Sequence, residues 1–510
     1  MKYKLSDYKH VIIVSLAYFA VLFSSSFTKG YEYFIDEFYY IACANNPAAG
    51  YVDHPPLAPL ILTVLTFIFG DSVYSIRFLA SLASAGTVFM AGLLAEKFGG
   101  GKISQLIASL CVIASPVFPV FGGFYSMNVF EPLLCSFVFW YLAKMILEKE
   151  KKYWINIGIL FGLLMMNKHT AALCIIFIVL SLLFTEHRKL LASKYFLYGA
   201  LIAFVIFLPN LIWQVLNGYP SLEFYVTNIT GKNIHVPYTE FLIMQLLTYN
   251  PFLVPLFIFV AGFLIFKNRK FRIFGMIFLF TIIFFLITRN SRFDRTAFSY
   301  LCVIPAGAVL IENFIKTHKS RWMFTAAGFL VFVYAFIAVP MFLPYLNYGN
   351  TAKLTSFVGL NTEIEKGNRP LIAQTIADRI GWEEKVDMVG KVYLSLSEEE
   401  RKNTLIAATN YGAAGALELY GKKYGFVNVV SGHNNYYLWS KKRLDGNILL
   451  QLSDTGAYNG LKESFEYVEK SGEIFDNIYC TPHERNLTVF ICKKPKYNNQ
   501  ELLEKGKRFY

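Results

Sequence analysis

Residues 57–69 read Leu57-Ala58-Pro59-Leu60-Ile61-Leu62-Thr63-Val64-Leu65-Thr66-Phe67-Ile68-Phe69, and whether this run crosses a membrane decides how the rest of the chain is laid out. It is apolar but falls short of the about 20 residues that a helix needs to cross about 30 Å of hydrocarbon. It starts behind Pro55-Pro56 and stops at Gly70-Asp71, which marks a re-entrant or interfacial helix.

Outward from it, apolar runs suited to spanning helices lie near 11–27, 74–96, 103–121, 130–147, 154–167, 171–185, 196–215, 240–265, 272–288, 297–314 and 322–343, about eleven crossings. Basic residues test the parity. With the amino terminus inside, the inner segments carry Lys2, Lys4 and Lys9, then Lys97 and Lys102, then Lys144, Lys149, Lys151 and Lys152. The next inner segments carry Arg188, Lys189 and Lys194, then Lys267, Arg269, Lys270 and Arg272, then Lys316, Lys319 and Arg321. The outer loops and helix ends hold far fewer: Lys29, Arg77, Lys168, Lys232, Arg289, Arg292 and Arg295. This is the positive-inside pattern, and a spanning 57–69 would invert every later loop and destroy it. The polar stretch around Asp36-Glu37 and the segment after residue 345 are therefore expected to face outward.

The bulk composition agrees: of 510 residues, 55% are hydrophobic, 17% aromatic and only 16% charged, which excludes an ordinary soluble protein. The formal charge of +13 follows from topology rather than from a nucleic-acid surface, because the basic residues sit between apolar segments. No nucleic-acid partner is expected. The first apolar run leads through Ser24-Ser25-Ser26-Phe27 straight into the acidic loop, without a small-residue cleavage site, and reads as an uncleaved helix. Two domains follow: a membrane domain, 1–345, and a soluble outer α/β domain, 346–510. In the latter, 405–409, 428–431, 447–452 and 487–492 read as strands, Asn410-Tyr411-Gly412 as a turn and Ala413–Tyr420 as a helix. Five cysteines lie in or beside apolar runs; Cys480 and Cys492 are placed for a hairpin disulfide, subject to geometry.

Once the inner lysines are assigned to topology, the outer cations need another reason. Arg77, Lys168, Arg292 and Arg295 all fall at outer helix ends, where a shared anionic ligand such as a lipid phosphate would favour them, while snorkelling to headgroups is the plainer alternative. On the same side lie Asp36, Glu37, Asp53 and Glu131. Glu131 at a helix start can simply complement the helix dipole, whereas Asp36, embedded in Tyr33-Phe34-Ile35 and Phe38-Tyr39-Tyr40, reads as an acid held at the interface. Asp294, between Arg292 and Arg295, reads as a local ion pair, and Trp213-Gln214 as either a sugar platform or an interfacial anchor. In the outer domain Ser431-Gly432-His433-Asn434-Asn435-Tyr436-Tyr437 is rich in amide and aromatic groups; His433 and Asn434 are candidates for acceptor contact, against a packed turn.

Four stretches together resemble the membrane glycosyltransferases of family 39, which include protein O-mannosyltransferases and lipid A aminoarabinose transferases: Asp36-Glu37-Phe38-Tyr39-Tyr40, Tyr51-Val52-Asp53-His54-Pro55-Pro56-Leu57, Ser75-Ile76-Arg77-Phe78 and Gly162-Leu163-Leu164-Met165-Met166-Asn167-Lys168-His169. The resemblance implies a polytopic α-helical GT-C fold with the active site in the first outer loop, and a polyprenyl (dolichyl or undecaprenyl) phosphate sugar donor. It implies Asp36 as the catalytic aspartate, Glu131 as the second acidic position, and Lys168 and His54 beside the donor phosphate. Two departures matter: the second acid is usually aspartate, and some members carry lysine at the place of His54, so phosphate binding there becomes sensitive to pH.

The chemistry follows from the residues. A carboxylate can take the proton of an acceptor hydroxyl, and Asp36 is the choice. As the glycosidic bond breaks, the lipid phosphate gains about one negative charge, which Lys168 and Arg77, with Arg292, Arg295 and His54, would bind more strongly than the donor. Glu37 and Asp53 are auxiliary. No cofactor is required by any ligand cluster, and a divalent ion at Asp36 and Glu131 stays open as an alternative. The acceptor is a protein, lipid or glycan in a cell membrane of which lipids are the remaining partners. A flippase or transporter of lipid-linked sugars is the rival reading, but it calls for charge in mid-helix and inverted repeats, which the sequence does not display.

Overall fold

The computed structural model describes residues 5–232, 234–289, 291–317, 321–359 and 369–510; Lys2, Lys4 and Lys319 of the inner charge pattern lie outside them. Among the described residues, seven helices are long and apolar enough to span a membrane: Lys9–Phe27, Val73–Lys97, Met127–Glu148, Lys194–Leu216, Arg269–Thr288, Phe293–Thr317 and Thr325–Phe342. The expected run 103–121 forms Lys102–Ile113 and a short helix Val117–Gly122, while 154–167 and 171–185 form the shorter apolar helices Tyr153–Asn167 and His169–Leu183. The helix over Leu57–Phe69 stands at the expected bounds, with Val64, Phe67, Ile68 and Phe69 exposed as a lipid-facing surface requires.

The expected single span 240–265 is instead two helices, Tyr238–Tyr249 and Val254–Phe266, bent by 101°. The cause is local. Pro251 disfavours helical backbone at the residue before it, and Asn250 takes φ 88° while its amide donates to the carbonyls of Ala114 (3.0 Å) and Val331 (2.9 Å).

Beyond the last long helix the chain forms a five-stranded sheet of order β2-β1-β3-β5-β4, with β1 Thr404–Ala408, β2 Val429–Val430, β3 Ile448–Asp454, β4 Phe465–Phe475 and β5 Leu487–Pro495. β1 pairs in parallel with β2 and β3, while β5 pairs antiparallel with β3 and β4. Strand β4 escapes a periodicity reading because it is an edge strand whose Glu466, Glu469, Lys470 and Glu473 face water. Asn410 is not a turn residue but the cap of helix Tyr411–Tyr420, its side chain accepting from Ala413 N at 2.8 Å. All seven cysteines are buried free thiols; Cys492 packs with Phe465, Val468 and Phe490 and Cys480 faces the Ile380 carbonyl, so the hairpin disulfide is not formed.

The sheet domain sits on the acidic loop. Helix Tyr411–Tyr420 packs on helix Ile35–Asn45, and buried Arg379 donates to the Gly123 carbonyl at 3.2 Å, over the paired rings of Phe34 and Phe124. Burial pushes the Arg379 guanidinium down to about 9.

Candidate active site

Helix Ile35–Asn45 starts after extended Phe34, and its third residue, Glu37, accepts the Phe34 N–H at 2.8 Å, which is half of a capping box. That places Asp36 on the partly open side of the helix and Glu37 inside. Glu37 is 0% exposed and Arg77 1%. The guanidinium gives Nε to Oε1 at 3.0 Å and Nη2 to Oε2 at 2.7 Å, and a further Nη2 bond to the Glu32 carbonyl at 2.7 Å. Glu37 also accepts Tyr125 N–H at 2.9 Å. Arg77, expected at the donor phosphate, is thus consumed by the loop, and Glu37, expected as an auxiliary or acceptor group, is its counter-ion. Two buried charges repay desolvation only when paired and hydrogen-bonded, and here the Glu37 carboxylate accepts from Arg77, Phe34 and Tyr125 together.

Lys168 ends helix Tyr153–Asn167 in extended backbone, at the break between two short apolar helices. Its buried ammonium donates to Glu131 Oε2 at 2.8 Å and to Asn128 Oδ1 at 2.9 Å, acceptors three residues apart on one face of helix Met127–Glu148. An ammonium has three N–H donors, so one is uncommitted among the described residues. Arg292 Nε lies 3.4 Å from Asp294 Oδ1, the expected local ion pair. Lys168 is within electrostatic reach of Asp294, and Arg295 within reach of Glu131 and Tyr225. Tyr225, on helix Pro220–Thr227, in turn senses Asp53. These groups from separated segments therefore form one field.

His54 is buried against Tyr40 at 4.8 Å and 12°, a stacked pair. Its Nδ1 faces the Pro55 carbonyl at 2.9 Å and so carries a proton; Nε2 has no hydrogen-bond partner among the described residues and lies 4.0 Å from Asp53 Oδ1. An anionic oxygen at Nε2 would need the doubly protonated ring. Asp53 accepts the Tyr39 hydroxyl at 2.7 Å; burial, and after it the charge of Asp53, holds that phenol well above its ordinary range, so it remains a donor. His169, close to His54 and Asp53, shares its Nε2 with Asn210 Oδ1 at 3.0 Å.

Asp36 accepts the Tyr411 hydroxyl at 2.7 Å. His433 and Asn434, expected at an acceptor, are buried in the sheet domain: His433 lies between the rings of Tyr411 and Tyr510, and Asn434 holds φ 46° with its N–H on the Arg508 carbonyl at 2.9 Å. Both build a turn rather than a binding face. Trp213 packs over Gly50 and Gln214 clamps Ser221 at 2.6 Å, which favours structural roles for both. Among the described residues no three His, Cys, Asp or Glu side chains converge as a metal site would need. Tyr39, Asn128, Tyr225 and Tyr411 join the site without a motif that marks them: Tyr39 is 14 residues from Asp53 and Tyr411 is 375 residues from Asp36.

Residues 53–213 match the family described as "Dolichyl-phosphate-mannose-protein mannosyltransferase". No curated protein sequence matches the chain. Among solved structures, ArnT from Cupriavidus metallidurans in the apo state is similar at 13% identity over 94% of this chain and 97% of that chain, with a TM-score of 0.59. The same protein bound to undecaprenyl phosphate gives 13% identity, the same coverage and a TM-score of 0.57. The Archaeoglobus fulgidus oligosaccharyltransferase in the apo form gives 14% identity over 89% and 70%, with a TM-score of 0.49. At such identities the ArnT likeness is one of fold, extending over nearly the whole of both chains. The family match over 53–213, set in that architecture, makes the chain a multi-pass membrane glycosyltransferase of the GT-C fold.

Proposed function

We propose that the protein transfers a sugar from a polyprenyl phosphate donor to an acceptor on the outer face of the membrane, with Asp36 as base. The carrying observation is Lys168, a buried ammonium held by Glu131 and Asn128 with a donor to spare among the described residues, and facing Asp294 together with Arg295. A similar fold that holds undecaprenyl phosphate supports the choice of donor. In the transfer step, Asp36 takes the proton of an acceptor hydroxyl as the acceptor oxygen bonds to the anomeric carbon. The bond from that carbon to the phosphate oxygen breaks, and its electron pair stays on the phosphate. The charge gained there falls beside Lys168, with Arg295 and Arg292 as further cations and His54 as a further phosphate contact, so stabilisation grows along the reaction coordinate. Glu131 orients Lys168 rather than reacting, and Asp53 faces His54. Drawn this way, the reaction uses the cations where a metal would otherwise serve. The carboxyl-terminal part, 346–510, shares the outer side with the acidic loop on which it packs.

The test is transfer of radiolabelled sugar from a synthetic polyprenyl phosphate donor by the purified protein, with Asp36→Asn beside it. Transfer by the wild type and its loss in the variant are expected. Movement of the donor across vesicles without transfer would instead favour the flippase.

A further inference from the structure

The outer domain reaches into the acidic loop at two points. The Tyr411 hydroxyl donates to Asp36 Oδ1 at 2.7 Å. Asn435 gives its main-chain N–H to the Tyr39 oxygen at 3.3 Å, and the Tyr39 hydroxyl in turn donates to Asp53 Oδ1 at 2.7 Å. The Asn435 side chain also accepts Val52 N–H at 3.1 Å, tying the same turn to the segment that carries Asp53. So close an approach of two helices has a steric requirement. A Cβ at Gly412 would come within 2.0 Å of the Ile35 side chain, and one at Gly415 within 2.8 Å of Phe38, so only glycine lets helix Tyr411–Tyr420 lie against the start of helix Ile35–Asn45.

Tyr411 is itself held. Its N–H points at His433 Nδ1 at 3.3 Å, and since that nitrogen accepts, the ring proton sits on Nε2, which donates to the Tyr510 main-chain oxygen at 2.9 Å. The rings of Tyr411 and His433 lie 4.8 Å apart, and those of Tyr39 and Tyr411 also 4.8 Å. The phenol therefore arrives at Asp36 held by His433 from its own domain and flanked by Tyr39 from the acidic loop.

We propose that Tyr411 is a positioning residue for Asp36, so that the outer domain completes the transferase site rather than only covering it; the inference rests on the proposed role of Asp36 as base. The hydroxyl fixes the carboxylate rotamer and favours its charged form, the form that accepts a proton. A hydrogen bond to a charged group commonly changes an equilibrium by about tenfold to a hundredfold. Tyr411→Phe, which keeps both ring contacts, should lower kcat by about that factor while leaving the donor KM and the melting temperature near wild type. Tyr467→Phe, which removes a hydroxyl bonded to Glu469 on the far edge strand, should leave both constants unchanged. A readout that needs no donor runs in parallel: carbodiimide labelling of Asp36, followed by mass spectrometry, should be about tenfold faster in Tyr411→Phe than in wild type. Wild-type labelling in that variant, or an unchanged kcat where Asp36→Asn abolishes transfer, would overturn the proposal. If transfer fails in every form yet labelling still quickens, the contact stands and only the assigned chemistry falls.

Discussion

Breaking the Glu37–Arg77 pair separates a scaffold role from a substrate role. In Glu37→Gln one carboxylate oxygen becomes an amide NH2 that faces N–H donors: Arg77 Nη2 and the Phe34 N–H in one orientation, Arg77 Nε and the Tyr125 N–H in the other. Either way two donors lose their acceptor, and a fully buried guanidinium loses its counter-charge. Removing one partner of such a pair costs about 3–5 kcal/mol, a large share of the about 5–15 kcal/mol that separates folded from unfolded chains. Arg77→Met should cost a similar amount, because it strands the carboxylate and the Glu32 carbonyl. The double variant should lose less than the two singles combined by about 3 kcal/mol, since no lone charge remains. Thermal unfolding of the four proteins in detergent, with donor affinity measured on the folded fraction, reads the cycle. An Arg77→Met protein that melts like wild type but binds donor weakly would return Arg77 to the phosphate and refute the reasoning.

Lys168→Met should lower kcat/KM by about 100-fold or more, as expected when a donor at the developing charge is lost, whereas Glu131→Gln should keep donor affinity; steady-state kinetics decide, and a Lys168→Met enzyme within threefold of wild type contradicts the assignment. Alkylation of the denatured chain without reductant should modify all seven cysteines, and a Cys480–Cys492 crosslink in the mass spectrum would contradict the free thiols. Burial chiefly raises the Glu32 carboxyl above its ordinary range, ahead of the opposing Glu383 N–H at 2.8 Å. Since its folded value is the higher one, its stabilising contribution is complete below the ordinary carboxylate range and is lost as pH rises through the folded value. Glu32→Gln should thus gain melting temperature relative to wild type as pH rises over that window, and a flat difference would count against it.

Much of the fold was legible because apolar runs must cross or skirt hydrocarbon. The break at Asn250-Pro251 was visible as a proline, but its 101° consequence depends on the Ala114 and Val331 carbonyls that receive the Asn250 amide. Local motifs showed the acids. They could not show which cation each acid holds: Arg77 and Lys168 look alike as outer positive residues, yet one is spent on Glu37 and the other keeps a donor. Tyr411 was hidden for a different reason, since its partner lies in another domain and its only local trace is the Gly412 and Gly415 pair beside it.

A density map of the purified protein with a bound polyprenyl phosphate tests the central claim most directly. The phosphate should lie within hydrogen-bond reach of the Lys168 ammonium, on the side of the molecule where Asp36 and Tyr411 meet. Phosphate density away from Lys168, or at the opposite ends of the helices, would contradict the account.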